Sequence, residues 1–258
     1  MDLNSLTELL GEKTTITLTG LVIGLLFGVC AQRSRFCMRS AVVEFWNRQG
    51  TGKLAVWLFA FSAAIVATQL FISRNWLDVS QARQLSAQGS LSGALIGGLL
   101  FGIGMILARG CSSRMLVLAA NGNLRALLTG LIFAVTAQAS LNGLLSPVRT
   151  WLSSLWTIEG GAARDLLATF HLGHLGGLLF GLVWLASAIH FAQRARLDRR
   201  EWLGGIGVGV VIALAWLLTF QIGTQSFDII PVQSLSFTGP SANVLMLALS
   251  PPGQPWNF

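Results

Sequence analysis

Of 258 residues, 53% are hydrophobic and only 10% charged, with a mean hydropathy of +0.67. A soluble domain carries about 25% charged residues, so a water-soluble fold is excluded. The net charge of +7 would suit a nucleic-acid binder, but its placement argues otherwise: alternate loops hold 12 Lys and Arg against 5 in the rest, and 3 Asp and Glu against 7. By the positive-inside rule the 12-charge set faces the cytoplasm and the N-terminus lies outside it.

Residues 1–12 are a polar lead-in with no basic n-region and with Asp2, Glu8 and Glu12, so no cleavable signal is read there. Six stretches are then long enough to cross roughly 30 Å of hydrocarbon as helices: residues 14–31, 54–73, 91–108, 124–145, 166–192 and 202–220. The fold class is an all-α integral membrane protein, a polytopic helical bundle in one membrane domain. Trp46, Trp57, Trp76, Trp151, Trp156 and Trp202 stand near predicted segment ends, as an interfacial belt would have them. Residues 221–258 form a polar outer tail, whose apolar run 242–249 is too short to span.

The first segment carries Gly24-Leu25-Leu26-Phe27-Gly28 and runs into Arg35-Phe36-Cys37. At an offset of 74 residues the same pattern returns as Gly98-Leu99-Leu100-Phe101-Gly102 and Arg109-Gly110-Cys111, and Leu54, Phe59 and Ala63 continue the match at Leu128, Phe133 and Ala137. This is an internal repeat, with units at about 14–73 and 91–145 and additional spans over 166–220. Gly20, Gly24 and Gly28 share one helical stripe, a spacing that lets another backbone approach closely in a membrane.

In the first copy Arg33, Arg35 and Arg39 flank Cys37, and the next residues read as a short helix. If that helix begins near Cys37, its amide hydrogens and positive dipole end face the thiol and any anion beside it, which also favours thiolate. Arginines there would serve equally as topology signals. The second copy weighs against that alternative, because most of the loop charge is gone while Arg109 and Cys111 stay in register. Ser112 and Ser113 are good N-cap residues for a short helix over 115–120. Cys30 has Gly104 as its counterpart and reads as a packing residue.

Three cysteines without a CxxC give a disulfide oxidoreductase little support. His171, His174 and His190 lie on one segment, without a third ligand suitably spaced for zinc, and read as helix-start or interface residues. No phosphate loop, nucleotide fingerprint or GxSxG elbow appears, so no energy-coupling module is read in this chain; no metal, cofactor or enzyme activity is expected. Gln69, Thr136, Gln138 and Asn142 are the main polar residues inside the segments.

The paired motifs, Arg33-Ser34-Arg35-Phe36-Cys37 and Ala108-Arg109-Gly110-Cys111-Ser112, resemble the YeeE/YedE family of bacterial inner-membrane sulfur-compound transporters, and residues 234–240 are similar to an outer segment of that family. The resemblance implies uptake of thiosulfate or a related sulfur or selenium species, with Cys37 and Cys111 along the path and short helices or re-entrant segments at the cysteine motifs. The expected pathway residues are Cys37, Cys111, Arg33, Arg35, Arg109, Ser112 and Ser113. The partners are an inorganic sulfur anion, the lipid bilayer and a cytoplasmic sulfur-carrier or rhodanese-type protein. Longer members carry a further cysteine motif near the C-terminal end without counterpart here, so the sequence is expected to be an N-terminal portion, the alternative being a shortened member whose pathway a partner completes. Two other readings stay open: a membrane sulfurtransferase whose cysteine forms a persulfide, and a non-transporting subunit of a membrane assembly.

Overall fold

The structure is a computed structural model, and it describes residues 11–80, 82–165, 167, 172–226 and 232–250. The helices are α1 (Glu12–Ser34), α2 (Met38–Trp46), α3 (Gly52–Ser73), α4 (Leu91–Leu107), α5 (Ser112–Ala120), α6 (Leu124–Asn142), α7 (Ser146–Ser154), α8 (Gly173–Arg194), α9 (Arg199–Gln225) and α10 (Thr238–Leu249). Among the described residues, six helical stretches are long and apolar enough to cross a membrane: Lys13–Trp46, Gly52–Ser73, Leu91–Ala120, Leu124–Asn142, Leu175–Arg194 and Arg199–Gln225. The chain is therefore a multi-pass helical membrane protein. Regular strand is confined, among the described residues, to the pairing of Gly89–Ser90 with Thr157–Ile158.

Several boundaries differ from the sequence expectation, each for a local reason. Helix α9 runs from Arg199, three residues before the expected start, because charged residues at a span end belong to the helix even when they leave the hydrocarbon. The loop after α6 contains α7, begun by Pro147 in the first turn, where a missing amide hydrogen costs nothing. The short apolar run of the tail starts four residues earlier, as α10 from Thr238. The segment expected from residue 166 is helical from Gly173; residues 166 and 168–171, including His171, lie outside the described residues.

The chain divides into two compact units, residues 1–89 with 158–235 and residues 90–157 with 236–258. In the first, α3 packs on α8 and α9, and α9 packs on α1. Its core is Ala55, Leu58 and Phe59 of α3 with Ala188 and Ala192 of α8, covered by Trp202 and Ile206. Glycines set the spacing. A Cβ on Gly205 would lie 3.0 Å from the Val56 carbonyl oxygen, one on Gly209 2.7 Å from the Ala64 nitrogen, and one on Gly204 2.7 Å from the Ser34 Cβ. These pairs fix helix directions: 205 with 56 and 209 with 64 make α3 and α9 parallel, whereas 204 with 34 and 207 with 30 make α1 antiparallel to α9. The seam expected on α1 is not there. A Cβ on Gly20, Gly24 or Gly28 meets nothing within 4 Å, so the close approach is made by the glycines of α9.

In the second unit, α5 and α10 pack on α6, and α4 packs on α7. Ser90 caps α4 by accepting from the Gly93 amide at 2.8 Å and donates to the Ser153 carbonyl at 2.6 Å. Ser92, 7% exposed, donates to the Leu152 carbonyl at 2.7 Å and accepts from the Trp156 amide at 3.2 Å. Two small polar side chains thus tie the start of α4 to the end of α7.

Candidate functional site

The internal repeat is reproduced at the level of backbone conformation. Helix α1 stops where Arg35 takes a left-handed conformation, φ 51°, its amide donating to Gln32 and that of Phe36 reaching back to Ala31 at 3.1 Å. Helix α4 stops identically: Arg109 has φ 58°, its amide donates to Ile106, and the Gly110 amide reaches back to Met105 at 3.1 Å. These are Schellman-type endings, in which glycine ordinarily takes the left-handed position. Two residues on, the extended Cys37 and Cys111 are the N-caps of α2 and α5, nine-residue helices that begin and end 74 residues apart. Asn47 and Asn121 close these helices, and the next residues, Arg48 and Gly122, are again left-handed.

Each thiol therefore stands at the start of a helix whose first amides lack intrahelical partners and whose dipole end is positive. Neither cysteine makes a side-chain capping bond, and none of the three cysteines is in a disulfide. Cys37 is 7% exposed and Cys111 9%. The N-cap expected at Ser112 or Ser113 falls on Cys111, because the chain turns helical directly after it; the two serines form the first turn of α5. The Ser113 hydroxyl lies 3.2 Å from the Cys111 sulfur.

In the second unit Cys111 and Ser112 open on a cavity of about 410 Å³ walled by the C-terminal half of α4, by α5 and by α6, with Ser241 of α10 at its edge. The wall is mostly apolar, including Phe101, Met105 and Phe133; Thr129 and Thr136 contribute hydroxyls already donated to carbonyls one turn earlier in α6. Such a chamber offers an entering anion few polar contacts besides those at the head of α5. Arg109 lies outside this lining with an exposed side chain.

In the first unit, Arg35 is exposed, and Arg33 lines a separate cavity with Cys30 and Arg200. Sequence reasoning placed Arg39 beside Cys37 but not among the pathway residues. It holds the position of Ser113 in the repeat, two residues past the thiol, and its Nε is buried without a hydrogen-bond partner. A desolvated guanidinium nitrogen without a protein acceptor is costly, which makes Arg39 a candidate donor to a group entering beside Cys37. The register of the repeat was the signal that could have found it. Cys30 packs between α1 and α9, its sulfur 2.7 Å from where a Cβ on Gly207 would stand.

The basic end of the first unit gathers the C-terminal ends of α1 and α8 with the N-terminal ends of α3 and α9. Lys53 pairs with Glu201 at 2.9 Å, the Glu44 carboxylate accepts from the Gly52 amide at 2.9 Å, and Thr51 donates to the Phe191 carbonyl. Five Lys and Arg between residues 33 and 53 and four between 194 and 200 belong to this end. Of the histidines, His174 is the second residue of α8 and His190 stands edge-on to Phe191. Among the described residues no cluster of His, Cys, Asp or Glu could hold a metal.

A multi-pass membrane protein that twice sets a thiol at the head of a short helix, after an arginine-bearing helix stop, is the class defined by this fold and site. The chain matches the sulphur transport family over residues 33–258 and belongs to that family. It is similar to a thiosulfate transporter, TsuA, of Spirochaeta thermophila, at 32% identity over 136 residues, 52% of this chain and 39% of that protein. A probable transporter, YedE, of Salmonella typhimurium is 29% identical over 171 residues, 66% of this chain and 38% of its own length. The thiosulfate transporter TsuA of Escherichia coli is 22% identical over 257 residues, 92% of this chain and 68% of its own. The chain thus spans about two fifths of the length of the first two relatives.

Proposed function

We propose that this chain carries thiosulfate or a closely related sulfur oxyanion across a bacterial inner membrane, inward, past the thiols of Cys37 and Cys111. The observation that carries this proposal is the duplicated constellation of left-handed arginine, N-cap cysteine and nine-residue helix at one offset of 74 residues. An anion entering a low-dielectric site needs positive potential in return for its lost hydration. The α2 and α5 amide ends supply it locally; Arg33, Arg35 and Arg109 raise it at the approaches. The thiols add weak S–H donors and polarisable sulfur for the terminal sulfur of thiosulfate, which sulfate lacks, and the Ser112 and Ser113 hydroxyls offer hydrogen bonds at the second station. No covalent step is needed.

The basic end of the first unit supports a cytoplasmic position for it, and with it a periplasmic N-terminus. A sulfur-carrier or rhodanese-type protein would receive the substrate on the cytoplasmic side.

The test is uptake of sulfane-labelled thiosulfate by proteoliposomes holding the natural chain beside the Cys37→Ala, Cys111→Ala double variant. Uptake that the double variant loses is expected. Equal uptake by both would overturn the thiol path, and a stable sulfur adduct on either cysteine by mass spectrometry would replace relay by persulfide chemistry.

A further inference from the structure

The cavity that holds Arg33 is lined by neither Cys37 nor Cys111. It measures about 620 Å³ and lies between the C-terminal end of α1 and the N-terminal end of α9, lined by Val29, Cys30, Arg33, Arg200, Leu203 and Gly204. Beside it α1 and α9 approach closely at Gly204, where an added Cβ would lie 2.7 Å from the Ser34 Cβ. Two features of the opening differ in character. Arg33 and Arg200, one from each helix, are exposed and have no ion-pair partner among the described residues. Val29 and Leu203, beside them on the same helices, are 49% and 70% exposed. Exposed aliphatic side chains on spanning helices face hydrocarbon, so this mouth opens to the bilayer at its rim and not to bulk water. Paired guanidinium groups above an apolar cleft match a phosphodiester above acyl chains, and arginine binds phosphate oxygens through two donors at once.

We propose that Arg33 and Arg200 clamp the headgroup phosphate of an acidic phospholipid, with an acyl chain lying along Val29 and Leu203 between α1 and α9. The lipid then braces the last turns of α1, directly ahead of the Arg35 stop and Cys37. A free tetrahedral oxyanion such as inorganic phosphate or thiosulfate shares the headgroup chemistry but gains nothing from the apolar cleft.

Native mass spectrometry of the full chain tests this, with added phosphatidylglycerol, phosphatidylcholine or inorganic phosphate as probes. One phosphatidylglycerol is expected to stay bound where phosphatidylcholine is shed. Arg33→Gln with Arg200→Gln should weaken that binding roughly 30-fold, at about fivefold per arginine near an anionic surface. The control, Arg194→Gln with Arg196→Gln, removes two charges from the same end outside the cavity and should leave the bound lipid in place. An equal loss in the control would reduce the effect to general surface charge and overturn the site. A second readout needs no variant: phosphatidylglycerol should slow maleimide labelling of Cys30 in the natural protein, followed by peptide mapping. Equal protection by inorganic phosphate or thiosulfate would make this a soluble-anion site and overturn the lipid assignment, as would no protection at all.

Discussion

Replacing Arg109 by glycine separates its place in the backbone from the part proposed for its charge. At φ 58° it holds a conformation that costs an L-residue roughly 1–2 kcal/mol and costs glycine nothing. Glycine loses about 0.5–1 kcal/mol more backbone entropy on folding, so Arg109→Gly is expected to stabilise the fold by a net of about 0.5–1 kcal/mol. The same change removes a cation from the approach to Cys111. An exposed guanidinium is heavily screened, so about 0.2–1 kcal/mol of anion affinity is at stake, at most a roughly fivefold rise in the half-saturating thiosulfate concentration. The assay pairs thermal unfolding in detergent with concentration-dependent uptake in proteoliposomes. Arg48 and Arg196 supply the controls, since both are left-handed at helix ends, at φ 55° and 49°. Their glycine variants should gain similar stability and transport normally. The repeat has itself made one of these exchanges, with Gly122 where the first copy has Arg48. Normal uptake by Arg109→Gly would refute a role for its charge, and a lower unfolding temperature would refute the backbone account.

Other substitutions divide packing from the path. Gly209→Ala drives a methyl into Ala64 and Ala63 of α3 and should cost about 1–3 kcal/mol, whereas Gly24→Ala, inside α1, meets no neighbour and should raise the unfolding temperature, by the roughly 0.5–1 kcal/mol that alanine gains over glycine in a helix. Ser92→Ala strands the Leu152 carbonyl and the Trp156 amide, a loss of about 1–3 kcal/mol visible as faster amide exchange in α7. Arg39→Gln should raise the thiosulfate concentration for half-maximal uptake while sparing stability, because the buried Nε has no protein partner to lose. The Asp78 carboxylate accepts from the Ser80 amide at 2.8 Å, which holds its pKa below the ordinary value. That turn is tightened at neutral pH and the stabilisation is lost as the pH falls through the lowered pKa; local amide exchange at Ser80 should speed up there, and Asp78→Ala should abolish the pH dependence.

The long helices and the repeat were legible because apolar composition over 17 or more residues and an exact five-residue identity leave little else to read. The short helices at the motifs were legible as well, from the apolar runs after each cysteine. What escaped was set by three-dimensional context. Nothing in the local sequence says that the glycines of α1 meet no neighbour while those of α9 hold α1 and α3 in contact. Helix α7 is only nine residues long, so its apolar stripe of Val148, Trp151 and Leu152 is too short to stand out within a polar loop, and the α4 serines fix its end through backbone groups. Arg39 was visible only as one of several basic residues, and its equivalence to Ser113 acquires meaning once both are seen in the first turn of matching helices.

Cysteine is a poor helix cap, and serine in the same place would offer its oxygen to the first-turn amides, for roughly 1 kcal/mol. The chain therefore forgoes stability at residues 37 and 111, and again at the two left-handed arginines just before them. Selection for heat tolerance alone, with no demand for uptake, would drift toward serine at the first pair and glycine at the second. A thermostability landscape of this protein should accordingly mark Arg35, Cys37, Arg109 and Cys111 among its improvable positions beside Arg48 and Arg196, and the path proposed above would show as those among them whose stabilising exchanges lower uptake.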